Sequence, residues 1–286
     1  MKRDKPAKWR LLGAVAPEKL RDARLQAHYA GQFIASFAAA YMTRREDLGH
    51  LGMSWSQGQR AFVSGVALGP RRIRMALDLP RFEIFAMEPV GTQGILERLN
   101  LKGVTLEDAA KWMRKAVARF GFDPEVMRFD IEGMPDHPLR QGEGFSFDGG
   151  EEEMEELGRY FSNADHLLAQ VCSVLGECSS AQVWPGSFDI SANHSFIGRL
   201  GNQGSIGMGL MPGDDYLEEP YFFVNAFPKP SHESLASQPP LGRWRNDQWT
   251  GVTLAASQIT AMTNAEAQQE LALRFFTTGV QLLKSL

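Results

Sequence analysis

Four helical segments, separated by runs of short strands, constrain the fold of this chain more than any other feature. Apolar residues recur with helical spacing over residues 17–42, 105–120, 151–175 and from Thr263 to the C-terminus. Glycine and proline divide the intervening sequence into segments rich in strand-forming residues, at 51–55, 60–68, 72–77, 82–87, 182–192, 205–211, 221–227 and 249–255. Because these strands come in runs joined by short turns, we expect an α+β protein with mainly antiparallel sheets covered by long helices.

The same order of elements occurs twice along the chain. Each half reads as a helix, about four strands and a helix, and Trp55 and Trp184 come early in the first strand of their halves. Internal duplication and chance both explain this order. Residues 123–150 hold several prolines and glycines, which favours a connector. The sequence therefore predicts an N-terminal half at 1–122 and a C-terminal half at 151–286.

The charge of the chain is unevenly distributed. Although the net charge is -4, residues 1–120 hold 21 basic and 11 acidic side chains, whereas residues 121–286 hold 9 and 23. Opposite charges of this kind favour attraction within the chain or between two copies in a homodimer. Nucleic acid is a weaker interpretation, because no series of aromatic residues interleaves with the basic ones. We therefore expect no nucleic-acid partner.

Cysteine and histidine usage predicts neither a metal site nor a structural disulfide. Cys172 and Cys178 lie six positions apart at the end of a predicted helix, hence on different faces, so a disulfide would require the helix to end between them. No pair of histidines has a ligand spacing among His28, His50, His137, His166, His194 and His232. The sequence also lacks a signal-peptide pattern and an apolar stretch of about 18 residues, so we expect no cofactor, no membrane partner and a cytoplasmic location.

Several short motifs in the C-terminal half resemble one protein family. The motifs are Ser162-Asn163-Ala164-Asp165, Val183-Trp184-Pro185-Gly186-Ser187-Phe188-Asp189, the glycine-rich run 204–214, Glu219-Pro220-Tyr221-Phe222-Phe223-Val224 and Trp249-Thr250-Gly251-Val252-Thr253-Leu254. Their order and spacing resemble the domain-of-unknown-function family 5996. The resemblance implies a cytosolic, mostly bacterial protein with no established substrate. Many members of that family have histidines where this chain has Gly186 and Ser187, so a metal or proton-transfer role of those histidines does not carry over.

The C-terminal half has the composition of a small-molecule pocket, which combines aromatic walls with a few polar groups. Asn225 is the polar exception in an otherwise apolar strand, and a buried amide needs either a ligand or a core partner. Gly207 and Gly209 would share one strand face, where a backbone, a helix or a flat ligand can approach closely. The leading hypothesis is a ligand-binding pocket formed by Trp184, Asp189, Gly207, Gly209, Tyr221, Asn225 and Trp249.

Two other functions remain open from the sequence. Strand alternation in 182–192 separates Trp184 from Asp189, and Asp189 with His194 is the best available acid/base pair for a cofactor-independent hydrolase or isomerase. The third interpretation is a self-associating interaction module driven by the opposed charges of the two halves. Purely structural interpretations also stand: close packing at the glycines, a core amide at Asn225, and a solvated surface turn for the four acidic residues of 214–219.

Overall fold

The computed structural model describes residues 8–89, 94–146, 150–197, 203–231, 235 and 238–286. Five α-helices and two antiparallel sheets occur in this part of the chain, which confirms the α+β class. Contacts within the chain define two compact units. The five-stranded unit comprises Asp22–Gly158 and Val183–Phe188, and the six-stranded unit comprises Met1–Arg21, Arg159–Gln182 and Asp189–Leu286. The predicted halves and connector stay a prediction, and residues 147–149 of the connector lie outside the described residues.

The sheet of the five-stranded unit is an antiparallel meander in the order β1-β2-β3-β4-β5. Its strands are β1 (Ser54–Ser56), β2 (Ala61–Val63), β3 (Arg74–Asp78), β4 (Glu83–Met87) and β5 (Ile95–Asn100). Two helices flank these strands in sequence, α1 (Arg21–Tyr41) and α2 (Leu106–Arg119). Thr105 caps α2, because its hydroxyl oxygen accepts a hydrogen bond from the Asp108 amide.

Helix α1 is buried more completely than its apolar stripe predicts. Besides the expected apolar residues, the structure buries polar side chains such as Gln26 and His28. Gln26 makes this possible by pairing with the backbone of Ser146, whose carbonyl accepts from Nε2 at 2.7 Å and whose amide donates to Oε1 at 2.9 Å. Since these backbone partners are distant in sequence, the helical periodicity alone gives no sign of them.

The second antiparallel sheet has the order β10-β11-β9-β8-β7-β6, and its strands β7 to β11 belong to the six-stranded unit. Its strands are β6 (Gln182–Val183), β7 (Ile190–Ile197), β8 (Gln203–Met211), β9 (Tyr221–Phe227), β10 (Arg243–Asn246) and β11 (Thr250–Ala255). The remaining helices are α3 (Glu151–Leu175), α4 (Ala256–Thr260) and α5 (Ala265–Ser285). The expected helix–strands–helix order is therefore present twice, with five and six strands instead of about four.

Helix α5 covers one face of this sheet, here called the helix face. The ring of Phe276 meets Phe222 edge-on at 5.5 Å between centroids. Gly279 permits the close approach, because a Cβ atom at this position would lie 3.1 Å from Val224 and 3.2 Å from Val252. Alternation along the strands places the opposite set of side chains on the other face of the sheet.

Two buried amide side chains hold residues 9–12, here called the N-terminal segment of the six-stranded unit. Asn163 on α3 accepts from the Arg10 amide and donates to the Arg10 carbonyl, both at 2.8 Å. Gln268 on α5 pairs in the same way with Leu12, and its Oε1 also accepts from the indole nitrogen of Trp9. Asn163 belongs to the Ser-Asn-Ala-Asp motif, so this motif has a structural role in pinning the N-terminal segment.

Three local predictions were wrong. Segment 182–192 is not one strand, because a turn separates β6 from β7. The edge strands β5 and β10 were missed, since their charged residues hide the alternation of a strand. Helix α5 begins at Ala265, two residues later than predicted, because Asn264 caps it by accepting from the Ala267 amide. Among the helices of the described ranges, none is both long and apolar enough to cross a membrane.

Candidate functional site

The face of the six-stranded sheet opposite α5 carries most of the predicted site residues. Strand register aligns one row across five strands, consisting of Asn193, Gly207, Asn225, Gly251 and Arg245. A second row, on one side of this central row, contains Ser191, Gly209, Phe223, Thr253 and Arg243. A third row, on the opposite side of the central row, contains Ser195, Ser205 and Phe227. We call these three rows, with Tyr221 and Trp249 at their margin, the polar face.

Side chains from neighbouring residues lie over each glycine of the polar face. A Cβ atom at Gly207 would lie 2.2 Å from Oδ1 of Asn225 and 3.4 Å from Oδ1 of Asn193. At Gly209 it would lie 2.7 Å from the Phe223 ring. The glycines therefore provide close packing within the sheet, one of the interpretations that the sequence left open, and they bring two amide groups together at one point.

The centre of the polar face retains unused hydrogen-bonding capacity. Asn225 and Ser205 are half-buried and Asn193 is exposed. Within the described ranges, no hydrogen-bond partner is present for the side chains of Ser191, Asn193, Ser195, Ser205 and Asn225. Asparagine and serine side chains both donate and accept hydrogen bonds. This group of uncharged side chains can therefore bind a ligand that itself carries both donors and acceptors.

A buried arginine occupies the other end of the central row. The Arg245 guanidinium, whose side chain is 4% exposed, donates to Asp214 at 2.9 Å and to Asp247 at 2.8 Å. It also lies over the rings of Tyr216 and Trp249, at 4.3 and 4.7 Å from their centroids. Burial opposes its charge, but the hydrogen bonds that Arg245 donates to Asp247 and Asp214 outweigh this effect and raise its pKa. Arg245 is thus a paired structural cation.

Tyr221 and Trp249, both predicted site residues, belong to this arginine cluster. The Tyr221 hydroxyl donates to Asp214 at 2.7 Å, and burial together with this carboxylate raises the pKa of Tyr221 well above its usual value of about 10. Tyr221 therefore stays protonated at neutral pH. The Trp249 ring lies between Arg245 and Phe223, and the centroids of the Trp249 and Phe223 rings are 5.7 Å apart. The cluster therefore fixes an aromatic wall beside the central row.

The structure does not bring Asp189 and His194 together as an acid/base pair. Asp189 lies just before β7, five residues from His194, and an extended chain of this length spans about 16 Å. His194 points to the helix face, where Lys284 donates to Nε2 at 3.2 Å and Nδ1 donates to the Gly176 carbonyl at 2.8 Å. Both ring nitrogens of His194 therefore hold structural hydrogen bonds, and proton transfer to Asp189 lacks the required contact.

Trp184, the remaining predicted site residue, belongs to the five-stranded unit. It precedes a turn in which the Trp184 carbonyl accepts from the Phe188 amide at 2.7 Å. Helix α1 holds this turn, because His28 and Gln32 both donate to the Pro185 carbonyl, at 2.7 and 2.8 Å. The His28 ring stacks on Phe188, whose φ of 60° is in the left-handed region. The expected separation of Trp184 and Asp189 onto two faces of one strand is thus wrong.

The sequence also contains no sign of the partners of the acidic turn, which is the segment 214–219 with its four carboxylates. Asp214 pairs with Arg245, Glu218 with Arg21, and Glu219 accepts from the amide and hydroxyl of Ser257. Within the described residues, no group of three or more histidine, cysteine, aspartate or glutamate side chains could hold a metal ion. His232 lies outside the described residues.

Two open cavities border the polar face. One has a volume of about 670 Å³ and is lined by Ser195, Ser205, Ile197 and Phe227, among others. The second, of about 500 Å³, lies between the acidic turn and β11 and is lined by Tyr216, Arg243 and Thr253, among others. Both volumes are within the usual range for ligand sites. The polar face is therefore accessible at both ends.

Comparisons with known proteins add no family or relative. No protein-family model matches the sequence, and no curated protein or solved structure shows significant similarity to the chain. The resemblance to the domain-of-unknown-function family 5996 stays a prediction from the motifs.

Proposed function

We propose that the polar face of the six-stranded sheet binds a small, uncharged, polar molecule. One observation carries this proposal: Asn193 and Asn225 converge over Gly207, and the part of the chain that the structure describes gives their amides no hydrogen-bond partner. Four of the predicted ligand residues, Gly207, Gly209, Tyr221 and Asn225, share this face by strand register. The half-buried Trp249 ring offers an apolar surface beside the amides, and the buried Phe223 ring packs against it.

The paired charges of the central row favour an uncharged ligand there, whereas the exposed cation of the polar face, Arg243, belongs to the second row. Arg245 already has two carboxylate partners, so it provides no free positive charge for an anion. A cation would meet Asp214 and Asp247, but Arg245 neutralises both through direct contacts. Monosaccharides and nucleosides combine several hydrogen-bonding groups with an apolar ring face, and they are the chemical class that fits this arrangement.

The experiment measures binding of a panel of neutral monosaccharides and nucleosides by calorimetry, after native mass spectrometry of the protein as purified. We expect the wild-type chain to bind at least one compound. Asn225→Ala should weaken that binding about tenfold, because loss of one well-formed hydrogen bond costs about 1.4 kcal/mol. Gly207→Ala should have a similar effect, since the added methyl group displaces the Asn225 amide.

The matched control is Gly58→Ala, because an added methyl group at Gly58 meets no atom within 4 Å. Its affinity should equal that of the wild type. Absence of binding by every compound, together with no co-purified molecule, would refute the proposal. Equal affinities of the wild type and Asn225→Ala would place the bound molecule elsewhere.

The other two functions can be separated from binding by simple measurements. Among the residues described, the predicted hydrolase or isomerase pair Asp189 and His194 lacks direct contact, so an enzyme would need other groups. Self-association stays a prediction, and light scattering over a concentration and salt series tests it, because attraction between opposed charges weakens as salt increases.

A further inference from the structure

The cavity between the acidic turn and β11 is lined by one basic and one acidic side chain. Arg243 comes from strand β10, and Glu219 is the last residue of the acidic turn. Arg243 is exposed and Glu219 is half-buried, so a ligand in the cavity can reach both. The cavity has a volume of about 500 Å³, which is within the usual range for ligand sites. One small molecule can therefore contact two opposite charges.

Neither of these charges is neutralised within the ranges that the structure describes. There, no carboxylate contacts the Arg243 guanidinium, and no cation contacts the Glu219 carboxylate. The nearby carboxylate of Asp214 differs, because it is already paired with Arg245. Arg243 and Glu219 also form no ion pair with each other. Opposite charges that line one cavity without meeting are complementary to a molecule that carries both charges.

The start of helix α4 holds the Glu219 carboxylate in place. The Ser257 amide donates to Oε2 of Glu219 at 2.6 Å, and the Ser257 hydroxyl donates to Oε1 at 2.9 Å. Both donors are uncharged, so they fix the carboxylate without cancelling its charge. Each carboxylate oxygen can accept a second hydrogen bond. Because the group is already ordered, binding a ligand to it costs less side-chain entropy.

Tyr216 and Leu217 give the same cavity an apolar surface. The Arg245 guanidinium lies over the Tyr216 ring, 4.3 Å from its centroid, and the Tyr221 ring meets it edge-on at 6.0 Å. These contacts fix the ring, yet Tyr216 stays 40% exposed. Leu217 is half-buried and also lines the cavity. The two side chains therefore offer an apolar contact beside the two charges.

We propose that this cavity binds a free α-amino acid with an apolar side chain. The Arg243 guanidinium donates to the carboxylate of the ligand, which matches its fork of N–H groups. The ammonium group of the ligand donates to Glu219, and its side chain packs against Tyr216 and Leu217. Arg243 belongs to the second row of the polar face, so binding here does not require the amides of the central row. The site is thus additional to the one proposed for uncharged ligands.

Calorimetry with the full chain tests the proposal with L-leucine and L-phenylalanine. The amino acid that binds more tightly is compared with two of its analogues: the N-acetyl derivative, which lacks the ammonium group, and the amide, which lacks the carboxylate. We expect the free amino acid to bind at least about tenfold more tightly than either analogue, because each analogue loses a charged hydrogen bond. Absence of binding by both amino acids would overturn the proposal. Equal binding of the free amino acid and its analogues would overturn it as well.

Two charge-removing variants assign the contacts to individual residues. In Glu219→Gln, the preference over the N-acetyl derivative should disappear while the preference over the amide persists. Arg243→Gln should show the reverse pattern. A change that merely loosened the cavity would weaken all three compounds alike, so this crossed pattern reports the charge contacts themselves. If both variants kept both preferences, the proposal would be wrong.

The matched control is Arg274→Gln, which removes a positive charge from an exposed arginine on α5, the helix that covers the other face of the sheet. Both preferences should equal those of the wild type. A loss of preference in this control would overturn the proposal, because it would show that the overall charge of the chain, and not Arg243, selects the ligand. The neutral sugars and nucleosides that test the central row lack both charges, so the two sites can fail independently.

Discussion

Protonation of His28 is expected to weaken the fold in mild acid. This histidine is 6% exposed, donates from Nε2 to the Pro185 carbonyl and stacks on Phe188. The pKa of His28 is lowered from 6.5 to about 4, chiefly by burial; the hydrogen bond to Pro185 opposes this shift, and the charge of Arg24 adds to it. The folded chain therefore keeps His28 neutral where the unfolded chain would already bind a proton.

The sign and size of the effect follow from this difference in pKa. Because the pKa of His28 is lower in the folded state, its contribution to stability is fully present above pH 6.5 and decreases as the pH falls from 6.5 towards 4. One pKa unit corresponds to about 1.4 kcal/mol, so the full loss is about 3 kcal/mol, of which about 2 kcal/mol has occurred at pH 5.

Urea unfolding at pH 8 and pH 5, for the wild type and His28→Gln, measures this contribution. Glutamine retains an Nε2 donor for Pro185 but does not titrate, so the variant should lose about 2 kcal/mol less than the wild type between the two pH values. Similar denaturant slopes in both proteins would show that the same surface unfolds. If both proteins lost the same free energy of unfolding, the account of His28 would be refuted.

Three further substitutions test the packing of the six-stranded unit, each by urea unfolding. Gly279→Val should lower the free energy of unfolding by about 2 kcal/mol, because even a Cβ atom at Gly279 would lie 3.1 Å from the Val224 side chain. Gln268→Leu should cost about 3 kcal/mol, since it leaves several buried backbone groups unpaired, whereas the adjacent control Gln269→Leu should cost much less. Arg245→Met should lower the free energy of unfolding by about 3 kcal/mol, because two carboxylates lose their partner. It should also change the fluorescence of Trp249, over which the guanidinium lies, and unchanged fluorescence would contradict this stacked arrangement.

Elements with strong local signals could be predicted from the sequence with accurate bounds. Helix α3 begins at an acidic first turn and ends before Gly176, as the sequence indicated. Strand β9 (Tyr221–Phe227) also has the predicted bounds, because its apolar residues are continuous and prolines flank it on both sides. In both elements the information lies within a few residues of the boundary.

Features that depend on distant residues could not be predicted. The turn after Trp184 forms because its neighbour Pro185 accepts hydrogen bonds from His28 and Gln32, more than 150 residues away in sequence. A strand pattern continues through this segment, and nothing local indicates the interruption. The pairing of Arg245 with Asp214 is invisible for the same reason, since the two residues are 31 positions apart.

Glycine has different consequences on the two sides of the six-stranded sheet, and this difference determines what each side can bind. On the helix face, Gly279 lets α5 approach until no space remains over Val224 and Val252. On the polar face, Gly207 and Gly209 accommodate the side chains of adjacent strands, so the amide of Asn225 and the ring of Phe223 lie low across the sheet. The Asn225 amide stays half-buried there, above the buried Phe223 ring, and hydrogen-bonding groups beside aromatic rings are what a small polar ligand requires.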